Sequence, residues 1–375
     1  MDSRLVAELA FLAEADRLKS IRRANVLMDL SRRENTAEHS WHVALFAMVF
    51  GASDRAIRMI LIHDLVEIDA GDQPVYLAHD AAALAAAETA AADRIFGILP
   101  DGAAFIELWR EFEGGATRDA AFAKRMDHVQ PLAQVVMAPQ PLPEHVEIAR
   151  SMMQQGRVAR FATEWPEILA AARTALDGGR PGGDLGRRLR FLAEADALKT
   201  VCRANTLIDL SRRENSAEHS WHLALYALIL GRHATPGVNI GRTIRMLLLH
   251  DLVEIDVGDV PLHSAAGTAH GSPEIQMAEA AAARRIFGLL PEQQGADFLA
   301  LWQEFEANET PDAVFAKSLD RTQPLVQNLR AGGAGWREYD VSYDDLVSRV
   351  GERIARGLPQ VWSALEPEVK AFFYG

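Results

Sequence analysis

The sequence contains a single cysteine, Cys202, in 375 residues. One thiol excludes an intrachain disulfide and any cysteine-rich zinc module, and it suits a reducing compartment. A metal held by this chain must therefore be bound through nitrogen and oxygen. Long apolar runs are also missing. The longest, such as VALFAMVFGA at 43–52, are about half of what a membrane-crossing helix requires. The opening stretch MDSRLVAELAFLAEADRLKS scatters acidic side chains and has no apolar run ahead of a cleavage site, unlike a secretory leader. Positive charge is not in excess: 39 Lys and Arg face 52 Asp and Glu, for a net charge of −13. That balance disfavours a surface for long nucleic acid, whereas a pocket for a small phosphorylated ligand needs only a few arginines. The expectation is a soluble, cytoplasmic protein with no membrane partner. The apolar fraction of 49% against 24% charged is that of a folded chain.

What the sequence does contain is itself, twice. FLAEADRLKSIRRANVLMDLSRRENTAEHSWHVALFA at 11–47 aligns without a gap to FLAEADALKTVCRANTLIDLSRRENSAEHSWHLALYA at 191–227, with about three quarters of positions identical. The match continues through LIHDLVEIDAGDQP (61–74) and LLHDLVEIDVGDVP (248–261), and ends with AFAKRMDHVQPL against VFAKSLDRTQPL. Insertions fall in Gly/Pro-rich stretches such as GRHATPGVNIGR, as loops should. DGGRPGGD at 177–184 reads as a linker, so domains are expected at 1–178 and 185–375. Apolar spacing is helical in each copy (Leu5, Leu9, Leu12; Ile57, Ile60, Leu61, Leu65) and strand alternation is absent. Ser216, ahead of an apolar run with Glu218 two residues on, is the expected helix cap. The expected fold class is all-α: two tandem helical bundles.

Placed on a helix, His63, Asp64 and Glu67 share one side, and Gly71 stops the helix so that Asp72 falls in the following loop. A carboxylate inside an apolar run needs a compensating cation, which turns an otherwise weak His-Asp doublet into a metal candidate. AEHSWH offers a third ligand, His39 or His42, and Asp127 offers a fourth. The second copy has His219 or His222, His250, Asp251, Glu254, Asp259 and Asp320. The isolated histidines His79, His145 and His233 are assigned no role.

The pattern R-x-E-N-x-A-E-H-S, then H-D-x-x-E-x-x-x-x-D, then K-x-x-D-x-x-Q-P resembles the HD-domain superfamily of metal-dependent phosphohydrolases. Within it, the pattern is similar to the bacterial all-helical nucleotidases that act on 5′-deoxynucleoside monophosphates. The resemblance implies metal ligands His39, His63, Asp64 and Asp127, with His219, His250, Asp251 and Asp320 in the second copy. It implies Glu67 and Glu254 as the carboxylates that activate water, Asp72 and Asp259 as acids near the scissile bond, and Arg23 and Arg203 as phosphate binders, although their spacing to the first histidine differs by one. Lys124 and Lys317 are expected to balance charge on the phosphate. His42 and His222 are left to orient substrate or to pack, and Trp41 and Trp221 to core. Binuclear members add two histidines after the doublet. The first copy has only His79 there, and His263 and His270 lie in an insertion, so one divalent ion per domain is expected: Mn, Co, Zn, Mg or Fe, undecided by the ligand types. The expected activity is hydrolysis of a phosphomonoester, foremost a (deoxy)nucleoside 5′-monophosphate. The rivals are a nucleotide-binding regulatory module without turnover and a diiron oxygenase. Single-domain relatives dimerise, so the two halves are expected to pack as an intrachain pseudo-dimer in a monomeric chain.

Overall fold

The computed structural model describes residues 2–73, 80–260 and 272–375. Helix α1 (Ser3–Ala15) runs into a 3-10 turn (Asp16–Ser20), then β1 (Arg22–Val26), β2 (Arg33–Asn35), α2 (Thr36–Val49), α3 (Asp54–Ile62) and the short α4 (Glu67–Ala70). Helices α5 (Ala81–Phe96), α6 (Gly102–Gly114), α7 (Arg118–Val136), α8 (Pro143–Gln154), α9 (Phe161–Glu164) and α10 (Pro166–Leu176) complete the first half. The second half repeats the order: α11 (Gly183–Ala195), β3 (Cys202–Thr206), β4 (Arg213–Asn215), α12 (Ser216–Leu230), α13 (Ile240–Leu249), α14 (Glu254–Val257), α15 (Pro273–Phe287), α16 (Glu292–Ala307) and α17 (Pro311–Arg330). Further short helices and a last one, Pro359–Tyr374, close the chain.

Helices α2 and α12 sit at the centre and pack on each other. Every residue of α2 is buried: its later turns are apolar, and its polar first turns, with Glu38, His39 and His42, are held by partners. The first helix of each half crosses over: α1 packs on α12, and α11 packs on α2. One continuous apolar core results, running through both halves. This is the expected pseudo-dimer.

Three local expectations are corrected. Strands do occur, as two antiparallel pairs with the registers Arg22↔Asn35 and Cys202↔Asn215. They are short and charged, so no alternation betrays them. The helix cap is Asn215, one residue before Ser216, and it forms a full capping box with Glu218; Asn35 and Glu38 do the same in the first half. Finally, the helix bearing the His-Asp doublet does not continue through Glu67. α3 ends at Ile62, and a tight turn, with Glu67 N donating to the Asp64 carbonyl at 2.9 Å, leads into α4. Gly71 ends α4 at φ 74°, a conformation that side-chain-bearing residues resist.

Candidate metal centre

Four side chains of the first half converge from three helical segments. His39 lies in the first turn of α2, whose direction the capping box fixes: Asn35 Oδ1 accepts from Glu38 N at 3.0 Å and Glu38 Oε1 accepts from Asn35 N at 2.7 Å. His63 and Asp64 occupy the turn after α3, and Asp127 lies midway along α7. His39 Nε2 is 3.2 Å from Asp127 Oδ1 and 3.8 Å from Asp64 Oδ2, while His63 Nε2 is 3.1 Å from Asp64 Oδ1 and 3.7 Å from Asp127 Oδ1. Both histidines are buried.

The outer ring nitrogens already have partners. His63 Nδ1 lies 2.7 Å from the Ile60 carbonyl and His39 Nδ1 lies 2.9 Å from Gln130 Oε1, both acceptors, so each Nδ1 donates. That choice leaves both Nε2 lone pairs aimed at carboxylate oxygens. His63 Nε2 is buried with no hydrogen-bond partner, and so is His250 Nε2 in the second half. Acceptors facing acceptors need a positive charge between them. A proton or a cation satisfies this: the ligand atoms of His39, His63 and Asp127 lie within 4.8 Å of one another, with Asp64 Oδ1 3.1 Å from His63 Nε2, a nitrogen-oxygen donor set suited to a divalent ion.

The electrostatics agree with that demand. Burial alone would lower His63, yet Asp64 and Asp127 raise its pKa well above the ordinary value, as a carboxylate-lined position that favours positive charge requires. Burial pushes Asp127 up, but His39 and His63 hold it well below the usual carboxylate range. Burial likewise opposes ionisation of Asp251, and His250 with Arg203 bring it down to about 2.

Arg23, on β1, spans the acidic rim. Its Nη1 is 3.3 Å from Asp64 Oδ2, 3.6 Å from Glu67 Oε1 and 3.4 Å from Asp72 Oδ1. Burial, then the charge of Asp64, pushes the Glu67 carboxyl well above its ordinary pKa, and the Thr36 hydroxyl donates to it at 2.8 Å. The raised pKa makes Glu67 a more basic carboxylate than an ordinary one, held next to the ligands, as suits a group that exchanges protons.

The second half repeats this arrangement with His219, His250, Asp251 and Asp320. His219 Nε2 is 3.2 Å from Asp320 Oδ1, and His250 Nε2 is 3.0 Å from Asp251 Oδ1. Arg203 Nη1 reaches Asp251 Oδ2 at 2.8 Å, with Glu254 and Asp259 each at 3.6 Å. A charged neighbour differs between the halves. Arg321 donates to Asp320 Oδ2 at 2.8 Å, where the first half has His128 beside Asp127. A cavity lined by Arg203, Asp251, Asp259, Arg321, Trp336 and Tyr339 opens onto the second cluster.

Other expected residues are distributed as follows. Lys124 pairs with Glu113 at 3.0 Å and sits over the Phe112 ring, which packs edge-on against His63. Lys317 pairs with Glu306 at 2.9 Å over Phe305, which backs His250. Both lysines thus lie one ring behind a ligand histidine. Of the two histidines in AEHSWH, His39 joins the cluster, whereas His42 turns the other way and its Nε2 donates to the Leu192 carbonyl at 2.9 Å. Trp41 and Trp221 are core. His79, His263 and His270 lie outside the described residues. Sequence reasoning missed Glu34, Gln130, Thr36 and their counterparts Glu214, Gln323 and Ser216. Glu34 and Gln130 stand inside the motifs R-x-E-N-x-A-E-H-S and K-x-x-D-x-x-Q-P, and a hydroxyl residue recurs at Thr36 and Ser216, signals that could have found them.

The family model described as an HD domain matches residues 15–169 and 195–362, that is, both halves. The chain belongs to the HD-domain family. The human 5′-deoxynucleotidase HDDC2 is 30% identical over 142 residues, covering 37% of this chain and 65% of that protein. The chain thus spans about two thirds of that relative's length. The 5′-deoxynucleotidase yfbR of Photorhabdus temperata is 23% identical over 181 residues, 47% of this chain and 91% of that protein. A solved structure described as a predicted metal-dependent phosphohydrolase, from Magnetospirillum magnetotacticum MS-1, is 43% identical with a TM-score of 0.47, covering 50% of this chain and 95% of that one. Among the described residues, no helix of this HD-domain protein is long and apolar enough to cross a membrane.

Proposed function

We propose that this HD-domain chain is a metal-dependent phosphohydrolase that cleaves a phosphomonoester, foremost a (deoxy)nucleoside 5′-monophosphate, at one mononuclear site in each half. The observation that carries this reading is the pair of orphaned imidazole nitrogens, His63 Nε2 and His250 Nε2, each buried among carboxylates beneath an arginine. The activity named for the human and bacterial relatives supports the choice of substrate class.

His39, His63, Asp64 and Asp127 would hold the ion in the first half, and His219, His250, Asp251 and Asp320 in the second. When bound, a divalent cation polarises a phosphoryl oxygen and lowers the pKa of water. The chain's own groups do the rest. Glu67, held by the Thr36 hydroxyl, accepts the proton of the attacking water. Arg23 shares its charge among Asp64, Glu67 and Asp72, and an incoming phosphate dianion competes for that guanidinium. Asp72, beside the same arginine, supplies a proton to the leaving oxygen. Glu254, Arg203 and Asp259 repeat these roles, and Lys124 and Lys317 contribute positive potential from behind the ligands. Trp336 and Tyr339 give the second site an aromatic wall suited to a nucleobase.

The test is phosphate release from a panel of deoxynucleoside and nucleoside 5′-monophosphates and simple phosphomonoesters, with Mn2+ or Co2+ added. The expected result is turnover of a nucleoside 5′-monophosphate that the double variant Glu67→Gln, Glu254→Gln lacks. Tight nucleotide binding with no phosphate released from any substrate would contradict it and indicate a binding module instead.

A further inference from the structure

Two more clusters of ligand-type side chains lie at the junction of the halves: Glu34, His42 and Asp196, and Asp16, Glu214 and His222, all buried. Neither has room for a metal role, because each surrounds a lysine ammonium. Lys199 Nζ donates to Glu34 Oε1 at 2.7 Å, to His42 Nδ1 at 2.9 Å and to Asp196. Lys19 Nζ donates to Glu214 Oε1 at 2.7 Å, to His222 Nδ1 at 2.8 Å and to Asp16. Three partners use all three N–H bonds of an ammonium. Both lysines are fully buried, an arrangement that persists only if the charge is fully matched.

The connection crosses between copies. Lys199 belongs to the second half, yet Glu34 and His42 belong to the first. The other oxygen of Glu34, Oε2, is 3.4 Å from Nδ1 of the ligand His39 and has no hydrogen-bond partner of its own. Gln130 closes the link: its Nε2 donates to Glu34 Oε1 at 3.2 Å, and its Oε1 accepts from His39 Nδ1 at 2.9 Å. The second half mirrors this. Lys19 holds Glu214, Gln323 Nε2 donates to Glu214 Oε1 at 3.0 Å, and Gln323 Oε1 accepts from His219 Nδ1 at 3.1 Å. The lysine holds the buried glutamate, the glutamate together with the side-chain carbonyl oxygen of Gln134 or Gln327 fixes which way the glutamine amide points, and the amide fixes the tautomer and tilt of the ligand imidazole.

We infer that each metal site is completed from the opposite copy: Lys199 is a positioning residue for the His39 site, and Lys19 is one for the His219 site. This rests on the metal reading above and adds a direction that sequence proximity does not suggest. Neither half carries the full support of its own site, which gives the tandem duplication a functional reason.

The test uses the full-length chain with one site disabled, titrated with Co2+ and read by calorimetry and by the visible absorption of the bound ion. Asp251→Ala leaves only the His39 site, and Asp64→Ala leaves only the His219 site. Adding Lys199→Met is expected to weaken Co2+ binding roughly 10–100-fold in the Asp251→Ala protein and to leave the Asp64→Ala protein unchanged; Lys19→Met gives the reverse pattern. Should Lys199→Met fail to fold, Lys199→Arg retains the charge but not the three-point contact, and it shifts the Co2+ spectrum of the His39 site alone. Weakening of the His219 site by Lys199 variants, equal effects at both sites, or no effect at either overturns the inference while leaving the metal reading intact. No Co2+ binding by either single-site protein overturns both.

Discussion

Trp41 donates its indole N–H to the carbonyl of Leu248 at 3.1 Å, a bond from the central helix of the first copy to the last turn of the helix that delivers His250 and Asp251 in the second. Trp221 makes the reciprocal bond to the Leu61 carbonyl at the same distance. Carbonyls in the last turn of a helix lack intrahelical partners, and each indole satisfies one in a place water does not reach. Trp41→Phe should therefore destabilise the fold by about 1–3 kcal/mol, measured by denaturant unfolding. The smaller ring also leaves a void at a fully buried position, so the cost combines the lost hydrogen bond with lost packing. A change below about 0.5 kcal/mol would show that the carbonyl finds another partner.

Glu67 and Glu254 contact no ligand histidine; their partners are Arg23 and Thr36, and Arg203 and Ser216. If they move protons and do not bind metal, Glu67→Gln in the Asp251→Ala background lowers kcat by about 10²–10⁴-fold with metal content unchanged. Loss of the ion in that variant would instead make Glu67 a ligand.

The halves are also joined by a contact that titrates. His233 Nε2 donates to Glu8 Oε2 at 2.6 Å, and this hydrogen bond raises the pKa of His233 above its ordinary 6.5. The folded state then holds the proton more tightly than the unfolded chain. The stabilisation is complete below the unfolded value and is lost as pH rises through the raised folded value. His233→Gln should flatten the fall of Tm with pH just above 6.5, by no more than about 2 °C because the pair is partly screened. Parallel profiles for variant and wild type would place the pH dependence elsewhere.

The repeat and the helical class are legible in the sequence, because they rest on residue identity at fixed spacing; the ligand set rests on the family resemblance and stays a proposal. Ligand atoms of His39, His63 and Asp127 lie within 4.8 Å of one another, and Asp64 Oδ1 is 3.1 Å from His63 Nε2. The choice between His39 and His42 is not legible from helix periodicity. Three residues apart, both sit on one side of α2, and only tertiary packing turns one toward Asp127 and the other toward Leu192. The strands of Arg22–Val26 and Arg33–Asn35 are hidden for a different reason: a ladder this short carries no period. The lysine crossover is hidden most completely. Lys19 lies far along the chain from Glu214, and nothing in a linear reading pairs them.

Metal content per chain, measured by elemental analysis after purification without chelator, tests the central claim most directly. About two divalent ions in the wild type, about one each in Asp64→Ala and Asp251→Ala, and none in the double variant are expected from two independent sites. No ion in the wild type, or a content unaffected by either substitution, would contradict it.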